Sequence, residues 1–296
     1  MKIQSLSVVV PNKQCINNCP FCVSRMVDSN QYENKMDINH PRYDKNVKTY
    51  LEKLRFVADN GCQTLMLTGT SEPQQNKPFL ATFSLLHQLL GNPFSNIEMQ
   101  TTGIMLQGNK NYLRFLRNFV GVDTIAISVN SISDQVNNTI LNNGNPSLAI
   151  SLESLCADLK EYDFNIRVCC NLTSLFDVGH LPVEHIFKYL KEKCLADQVT
   201  FRKLFVSAAE TPQSDWIKEH AVDLKDIRAI QDFLKEHPII GKTVYGICRY
   251  DVDGMSVIYD MDCMGKNPET DVNKYLILRP DCHLYSQWDS KASMVF

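Results

Sequence analysis

Three cysteines fall within eight consecutive residues of the chain, Cys15-Ile16-Asn17-Asn18-Cys19-Pro20-Phe21-Cys22. A loop this short can direct all three sulfur atoms toward one point. Three thiolates can bind three of the irons of a cubane [4Fe–4S] cluster, which ordinarily takes four cysteine ligands. The next cysteine along the chain is Cys62, so the fourth iron would keep an open coordination position. An open position is typical of a reactive metal site, because a substrate or cofactor can bind there.

The spacing C-x₃-C-x₂-C, with the aromatic Phe21 directly before the last cysteine, resembles the signature of the radical S-adenosylmethionine (radical SAM) superfamily. The resemblance implies that Cys15, Cys19 and Cys22 hold a [4Fe–4S] cluster beside Phe21. It also implies that the amino and carboxylate groups of SAM chelate the open iron. One electron from the reduced cluster then breaks the S–C5′ bond of SAM, which gives methionine and a 5′-deoxyadenosyl radical that abstracts hydrogen from a substrate. The cofactors carry this chemistry, and the protein positions and shields them.

A non-catalytic zinc-binding module is the alternative from a different class of protein. Zinc sites usually pair two short Cys or His hairpins, and no second C-x₂-C or H-x₃-H follows in this sequence. The alternative predicts a colourless protein with stoichiometric zinc and no affinity for SAM. The cluster predicts a brown protein that loses its colour when Cys19 is replaced by alanine.

A second motif, Thr68-Gly69-Thr70-Ser71-Glu72-Pro73, directly follows the second predicted strand. Radical SAM enzymes often have a Gly-Gly-Glu-Pro-like turn there, whose backbone contacts the amino group of SAM and whose glutamate assists. Gly69, Glu72 and Pro73 match that turn, whereas Thr70 and Ser71 replace the usual glycines. The resemblance therefore implies that this turn binds SAM, and a carboxylate can accept hydrogen bonds from an ammonium group. An ordinary strand-to-helix loop is the alternative.

Polar residues at the ends of three further predicted strands match positions that contact SAM in the family. They are Thr101, Ser128, Asn130 and Asn171. A turn or capping role is the alternative for each of them. Several relatives also have a Gly-Arg pair after the fourth strand, whose arginine pairs with the SAM carboxylate, but residues 141–145 contain no arginine. Arg167 on the fifth strand is a candidate substitute, although its neighbours Ile166 and Val168 are equally compatible with an outward-facing side chain.

Six short apolar strands alternate with helices along the first two thirds of the chain. The strands are predicted at 6–10, 64–68, 97–101, 124–129, 165–171 and 198–204, and the helices at 41–60, 78–90, 111–119, 148–162 and 183–194. This alternation builds a parallel sheet covered by helices, and right-handed crossovers nearly close it into a barrel. The fold class is therefore α/β, a partial (β/α)6 barrel with a small C-terminal β-rich extension. The radical SAM resemblance implies the same barrel, whose active site would lie at the carboxyl ends of the strands.

The pattern changes near residue 220, so we divide the chain into a barrel over residues 1–220 and a cap over residues 221–296. The cap is predicted to contain one helix over 223–237 and strands at 243–247, 255–259, 275–278 and 283–285, and to pack on the barrel mouth. Cys248, Cys263 and Cys282 lie in it without forming a close pair. They are predicted to be small buried side chains, with hydrogen-atom donation to a substrate radical or an auxiliary cluster as the functional alternatives. The same burial is predicted for Cys62, Cys156, Cys169, Cys170 and Cys194.

Composition argues against several classes of protein. The chain has 296 residues and a net charge of −3, and no run of Lys and Arg predicts binding to an extended nucleic acid. No apolar run approaches the roughly 20 residues that span a bilayer, and the first residues lack the apolar core of a signal peptide. Eleven cysteines spread over the chain favour the reducing cytoplasm over a secreted disulfide framework. An oxygen-sensitive cluster would suit the same setting.

The substrate is the least defined part of this interpretation. The cap is rich in polar aromatic and charged residues, which favours a small polar molecule or a nucleotide. A peptide, as in radical SAM maturases, is the alternative, but a peptide-binding N-terminal domain and close cysteine pairs are not evident. The chemistry also implies a low-potential electron donor, flavodoxin or ferredoxin, as a partner.

Overall fold

The computed structural model of the chain describes residues 2–26, 31–207, 210–243, 246–260 and 272–296. The strands are β1 (Lys2–Ile3), β2 (Ser5–Val10), β3 (Thr64–Gly69), β4 (Asn96–Thr101), β5 (Thr124–Val129), β6 (Asn165–Leu172), β7 (Gln198–Lys203), β8 (Ile239–Lys242), β9 (Cys248–Val252), β10 (Met255–Asp260), β11 (Val272–Asn273), β12 (Leu276–Leu278) and β13 (Leu284–Tyr285). The helices are α1 (Tyr43–Asp59), α2 (Lys77–Leu89), α3 (Lys110–Arg114), α4 (Asp134–Asn142), α5 (Leu152–Glu161), α6 (Val183–Glu192), α7 (Pro212–Glu219) and α8 (Leu224–Lys235), and α3 continues into a π-helix at Phe115–Val120.

An open sheet of eleven strands organises the described residues. Its spatial order is β13-β12-β2-β3-β4-β5-β6-β7-β10-β9-β8. Strands β2 to β7 are neighbours in chain order and pair in parallel, with helices in the connections between them. The predicted α/β partial (β/α)6 barrel is confirmed, and among these residues its sheet is not closed.

The helices bury one stripe of side chains each, as their periodicity predicts. In α1 the buried stripe includes Tyr50, Leu54 and Val57. The chain leaves α1 at Gly61, whose φ of +81° is a left-handed conformation that glycine adopts without a steric cost. At the start of α2, Asn76 Oδ1 accepts a hydrogen bond from the backbone N–H of Phe79 over 3.0 Å. These local signals place each helix between the two strands that it connects.

Side chains of β6 alternate between the hydrophobic core and the interior of the barrel. Ile166 and Val168 are fully buried in the core, whereas Arg167 and Cys169 line an interior cavity. Successive side chains of a strand point to opposite faces, so the two apolar neighbours of Arg167 are what directs it inward. The structure thereby settles which way Arg167 faces.

The residues beyond 220 add strands to both edges of the barrel sheet. At one edge β10 pairs in parallel with β7 and continues into the antiparallel strands β9 and β8. At the other edge β12 pairs in parallel with β2 and in antiparallel fashion with β13. The two edges approach each other where Lys274 Nζ lies 3.7 Å from Asp260 Oδ2. The C-terminal segment therefore narrows the gap that the six barrel strands leave.

One predicted strand falls partly outside the described residues, and two helices were not predicted. The predicted strand at 243–247 includes residues 244 and 245, which lie outside the described residues, and strands β8 and β9 precede and follow it in the chain. The unpredicted helices are α4 and α7. In α7, Thr211 Oγ1 caps the backbone N–H of Ser214 and Pro212 occupies the first turn, which is a standard N-terminal pattern.

Candidate active site

A cavity of about 480 Å³ lies at the carboxyl ends of the barrel strands and extends down between them. We call one side the near wall, which consists of Cys15, Asn17, Cys19, Cys22, Gly69 and Glu72. We call a second part of the lining the far wall, which consists of Thr200, Arg202, Lys203, Ile258, Asp260 and Lys274. Parallel barrels place their active sites at this end of the strands.

The loop after β2 brings Cys15, Cys19 and Cys22 together on the near wall. All three thiols are free and half-buried. The backbone N–H of Cys22 donates to Cys19 O over 3.3 Å, and that of Asn18 donates to Leu141 O, in the last turn of α4, over 2.8 Å. A local turn and an unpredicted helix therefore hold the cysteines at the cavity.

The surroundings of the thiols disfavour a bare thiolate. Burial raises the pKa of Cys15, and it raises the pKa of Cys19 well above its usual range, with Cys22 and Glu72 adding to the shift of Cys19. Metal coordination offsets such a cost because it stabilises the thiolate form. Among the described residues, no three His, Cys, Asp or Glu side chains converge on a position for a single ion.

The carboxylate of Glu72 is buried and serves as an acceptor for groups of the protein. Asn17 Nδ2 donates to Oε1 over 2.8 Å, and the backbone N–H and Oγ1 of Thr102 donate to the same oxygen over 3.1 and 2.9 Å. Thr101 Oγ1 donates to Oε2. Burial raises the pKa of Glu72, although these hydrogen bonds oppose that shift. Because Asn17 lies within the cysteine loop, Glu72 fastens that loop to the end of β4.

The turn after β3 lies close to the strand that precedes the cysteine loop. A Cβ atom on Gly69 would lie 2.6 Å from Val10 O, so only glycine fits there. Ser24 Oγ donates to Gly69 O over 2.9 Å, and the backbone N–H of Ile16 in the cysteine loop donates to Gln75 Oε1 over 2.9 Å. Residues of the turn and of the cysteine loop therefore share the near wall.

The predicted residues of the turn have different surroundings. Ser71 lines the cavity with Gly69 and Glu72. Thr70 Oγ1 donates instead to Asn12 O over 3.3 Å. Pro73 is buried and begins a short 3-10 turn. Thr70 and Pro73 thus stabilise the conformation of the turn.

The polar ends of β5, β6 and β7 form a connected set. Asn171 Nδ2 donates to Asn130 Oδ1 over 3.1 Å. Arg202 Nε donates to Asn171 Oδ1 over 2.8 Å, and Arg202 Nη2 donates to Ser128 Oγ over 3.4 Å. Ser128, Asn171 and Arg202 line the cavity, whereas Asn130 is fully buried. The structure joins the predicted residues of β5 and β6 to Arg202, which was not predicted.

A buried ion pair lies deeper in the cavity. Glu98 on β4 is 1% exposed and pairs with a guanidinium nitrogen of Arg167 on β6. Arg167 Nε also donates to Gln198 Oε1 over 2.9 Å. The candidate substitute for the family arginine therefore already has a carboxylate partner within the barrel.

Phe21 lines the cavity beside the cysteines and contacts α7. Its ring centroid lies 5.7 Å from that of Trp216, which stacks on His220 at 4.1 Å. The backbone N–H of Ser174 donates to His220 O over 3.0 Å. An aromatic stack therefore links the cysteine loop to the segment after β6.

The structure does not bring the described cysteines of the C-terminal segment to the cavity. Cys282 lies in the core with Sγ 3.5 Å from Asn46 O, and burial raises the pKa of its thiol to about 12. Cys248 is half-buried at the start of β9, and Cys263 lies outside the described residues. Cys169 was predicted only to be buried, yet it lines the cavity between Ser128 and Thr200 in the sheet register. The inward face of β6 explains that difference.

The family follows from a comparison of the sequence with known families. A model described as the radical SAM superfamily matches residues 9–190, which is more than half of the chain. The chain therefore belongs to the radical SAM superfamily, and it is an enzyme. No curated protein matches it.

Solved structures of radical SAM enzymes have a similar fold. Streptococcus suis SuiB bound to S-adenosylmethionine is 12% identical with a TM-score of 0.58, and the match covers 96% of this chain and 60% of that chain. Native anSMEcpe with bound AdoMet is 16% identical with a TM-score of 0.55, with coverage of 79% and 61%. The same enzyme with AdoMet and the Kp18Cys peptide is 17% identical with a TM-score of 0.54, with coverage of 79% and 60%. This chain spans about 60% of the length of these structures.

The helices of the described residues are also informative about membranes. None of them combines the length and the apolar composition that a bilayer-spanning helix requires.

Proposed function

We propose that this radical SAM enzyme binds one [4Fe–4S] cluster and cleaves SAM reductively. When bound, the cluster and SAM supply a 5′-deoxyadenosyl radical that abstracts hydrogen from a substrate. One observation carries the proposal. The loop with Cys15, Cys19 and Cys22 and the turn at 69–73 lie on one wall of one cavity, at the carboxyl ends of parallel strands. The SAM complexes of similarly folded SuiB and anSMEcpe support it.

The near wall has donors and ligands that suit these cofactors. Cys15, Cys19 and Cys22 would each hold an iron, and their free, half-buried thiols fit that role. Phe21 would exclude water from one side of the cluster. Glu72 orients the cysteine loop through Asn17, because both of its oxygens already accept hydrogen bonds from the protein.

Residues of the turn and of the strand ends would bind SAM. Gly69 and Ser71 place backbone and hydroxyl groups beside the cysteines, and Ser128 and Asn171 add polar groups from the neighbouring strands. Asn130 positions Asn171 through its side-chain hydrogen bond. Thr101 acts indirectly, since its hydroxyl is bonded to Glu72.

We propose a small polar molecule or a nucleotide as the substrate. The cavity offers polar and charged side chains on several strands, which suits a polar ligand. A peptide-modifying maturase is the second candidate, favoured by the peptide complex of similarly folded anSMEcpe. Residues 221–296 would cap the 1–220 barrel in either case, because Lys274 and Asp260 line the cavity. We further propose a cytoplasmic enzyme with a low-potential donor, flavodoxin or ferredoxin.

The test is to measure 5′-deoxyadenosine and methionine after anaerobic reconstitution, reduction with dithionite and addition of SAM. The proposal expects both products from the wild type and neither from Cys15→Ala. A wild type that carries its cluster and forms no 5′-deoxyadenosine contradicts the proposal. Acceleration by nucleotides or small polar molecules supports the first substrate class, and acceleration by peptides alone supports the maturase.

A further inference from the structure

The far wall has more positive charges than negative ones. Arg202, Lys203 and Lys274 contribute three cationic side chains, whereas Asp260 is its single carboxylate. The carboxylate of Asp260 lies 3.7 Å from Lys274 Nζ, so that pair is close to neutral. Two cations of the wall are thereby left without a carboxylate from the wall itself.

Arg202 is fixed in position without being neutralised. Its two hydrogen bonds go to Asn171 Oδ1 and Ser128 Oγ, which are uncharged. Among the described residues, neither Arg202 nor Lys203 takes part in an ion pair. A guanidinium has five N–H donors in a planar fork, so two hydrogen bonds leave donors for a ligand. The half-buried position of Arg202 raises the cost of leaving its charge unpaired.

Arg167 provides an internal comparison for Arg202. Both arginines line the same cavity from adjacent strands. Arg167 is paired with the carboxylate of Glu98, whereas Arg202 has no such partner within the described chain. Asp260 is the register neighbour of Arg202 on β10, but its ion pair is with Lys274. An anion for Arg202 is therefore expected to come from a ligand.

We propose that the far wall binds an anionic group of the substrate, a phosphate or a carboxylate, with Arg202 as its main ligand and Lys203 in support. Arginine forms bidentate hydrogen bonds with both kinds of oxyanion. Arg202, Lys203 and the three cysteines line the same cavity, so a substrate anchored by its anionic group would share that cavity with the radical source. This inference rests on the proposed function only in taking the cavity as the substrate site.

The test titrates the reconstituted, SAM-loaded protein anaerobically by calorimetry, with inorganic pyrophosphate and succinate as probes of the two oxyanions. The wild type is expected to bind at least one probe, and the tighter one identifies the phosphate or carboxylate class. Arg202→Gln is expected to weaken that probe at least tenfold, about 1.4 kcal/mol, and Arg202→Lys to weaken it less. Arg228→Gln, on the exposed face of α8, is the matched control and keeps wild-type affinity.

Several outcomes would overturn the inference. Failure of the wild type to bind either probe does so, and so does wild-type affinity in Arg202→Gln. If Arg202→Gln weakens SAM and leaves the probe unchanged, Arg202 binds the SAM carboxylate instead. If Arg202→Gln does not fold, Lys203→Gln replaces it as the deciding variant. Its affinity for the probe is expected to fall about threefold at low salt, and the difference from the wild type should shrink as salt screens the charge. The titrations need no turnover, so failure of SAM cleavage would count separately against the proposed function.

Discussion

The near and far walls of the cavity are built on different principles. On the near wall, the buried carboxylate of Glu72 accepts hydrogen bonds from Asn17, Thr101 and Thr102. On the far wall, the half-buried Arg202 is held by two uncharged side chains. On the near wall, donors of the protein occupy both oxygens of Glu72, and the thiols are the groups that would receive a metal centre. The far wall keeps a surplus of positive charge that a ligand can neutralise.

The difference separates what a superfamily shares from what an individual enzyme needs. A wall that holds the same cofactors in every member can be completed by the chain itself. A wall that selects a substrate keeps polar groups whose partners arrive with that substrate, because binding is strongest where the ligand satisfies groups that are otherwise unpaired. The comparison leads to four predictions, from the largest effect to the smallest.

Replacing a near-wall thiol is expected to abolish the chemistry. Cys19→Ala removes one of three iron ligands, so iron content should fall sharply and 5′-deoxyadenosine should drop below detection. The measurement is an iron assay with product chromatography after identical reconstitution. Cys62→Ala is the control, since Cys62 is buried outside the cavity and its Sγ donates to Thr64 O over 3.3 Å. Equal iron in both variants would contradict the assignment of the loop.

Replacing Glu98, the carboxylate partner of Arg167, should leave Arg167 without an ion pair, as Arg202 is. Glu98→Gln leaves the half-buried guanidinium of Arg167 unpaired, which is expected to lower the free energy of unfolding by about 3 kcal/mol at most and to tighten binding of the anionic probe. Urea denaturation and the same titration measure the two effects. Glu161→Gln, which breaks the exposed Lys110–Glu161 pair, should leave the free energy of unfolding close to that of the wild type, because solvent screens such a pair. Equal losses in the two variants would mean that Glu98 does not neutralise Arg167.

The close approach at the near wall can be tested with one methyl group. Gly69→Ala places a Cβ atom 2.6 Å from Val10 O, and the resulting strain should lower the free energy of unfolding by about 2 kcal/mol. Cluster loading should fall as well, because the turn supports the cysteine loop. Gly241→Ala is matched, since a Cβ atom there meets nothing within 4 Å, and it should be close to neutral. Similar unfolding midpoints for the two variants would show that the turn tolerates a side chain.

The smallest expected effect is a pH dependence at Glu72. Burial raises the pKa of Glu72 in the folded state, so the folded protein holds the proton of this carboxyl group more tightly than the unfolded chain does. In the unfolded chain, glutamates have a pKa of about 4.3. Stability from this group is therefore fully present below that pH and declines as pH rises through the folded pKa. Denaturation of the wild type and Glu72→Gln at several pH values should show a wild-type advantage that decreases with rising pH. An advantage that grows instead would mean that the hydrogen bonds outweigh burial.

Much of the barrel and of the near wall was predictable from sequence. Alternating apolar strands and helices indicated the parallel sheet, and two short motifs indicated Cys15, Cys19, Cys22 and the turn at 69–73, which the structure places on one wall. The residues of such a motif are close together in the sequence, so they are also close together in the folded protein. The capping signal of α7, Thr211-Pro212, is also present in the sequence.

The far wall was not predictable in the same way. Arg202 and Lys203 read as an ordinary polar strand end, and only the register with Asn171 brings Arg202 to the residues of β6. Arg167 shows the same dependence, because a sequence flanked by Ile166 and Val168 does not say which face is the interior. The surplus of positive charge on the far wall comes from residues of several strands, so no single segment of the sequence reveals it.

The most direct test of the radical SAM assignment to this site is a count of iron and sulfide after anaerobic reconstitution, followed by electron paramagnetic resonance of the reduced protein with and without SAM. A site-differentiated cluster on Cys15, Cys19 and Cys22 predicts about four irons per chain, as a cubane cluster contains, and a spectrum that changes when SAM is added. Stoichiometric zinc in place of iron, with no effect of SAM, would contradict the account and favour the zinc module.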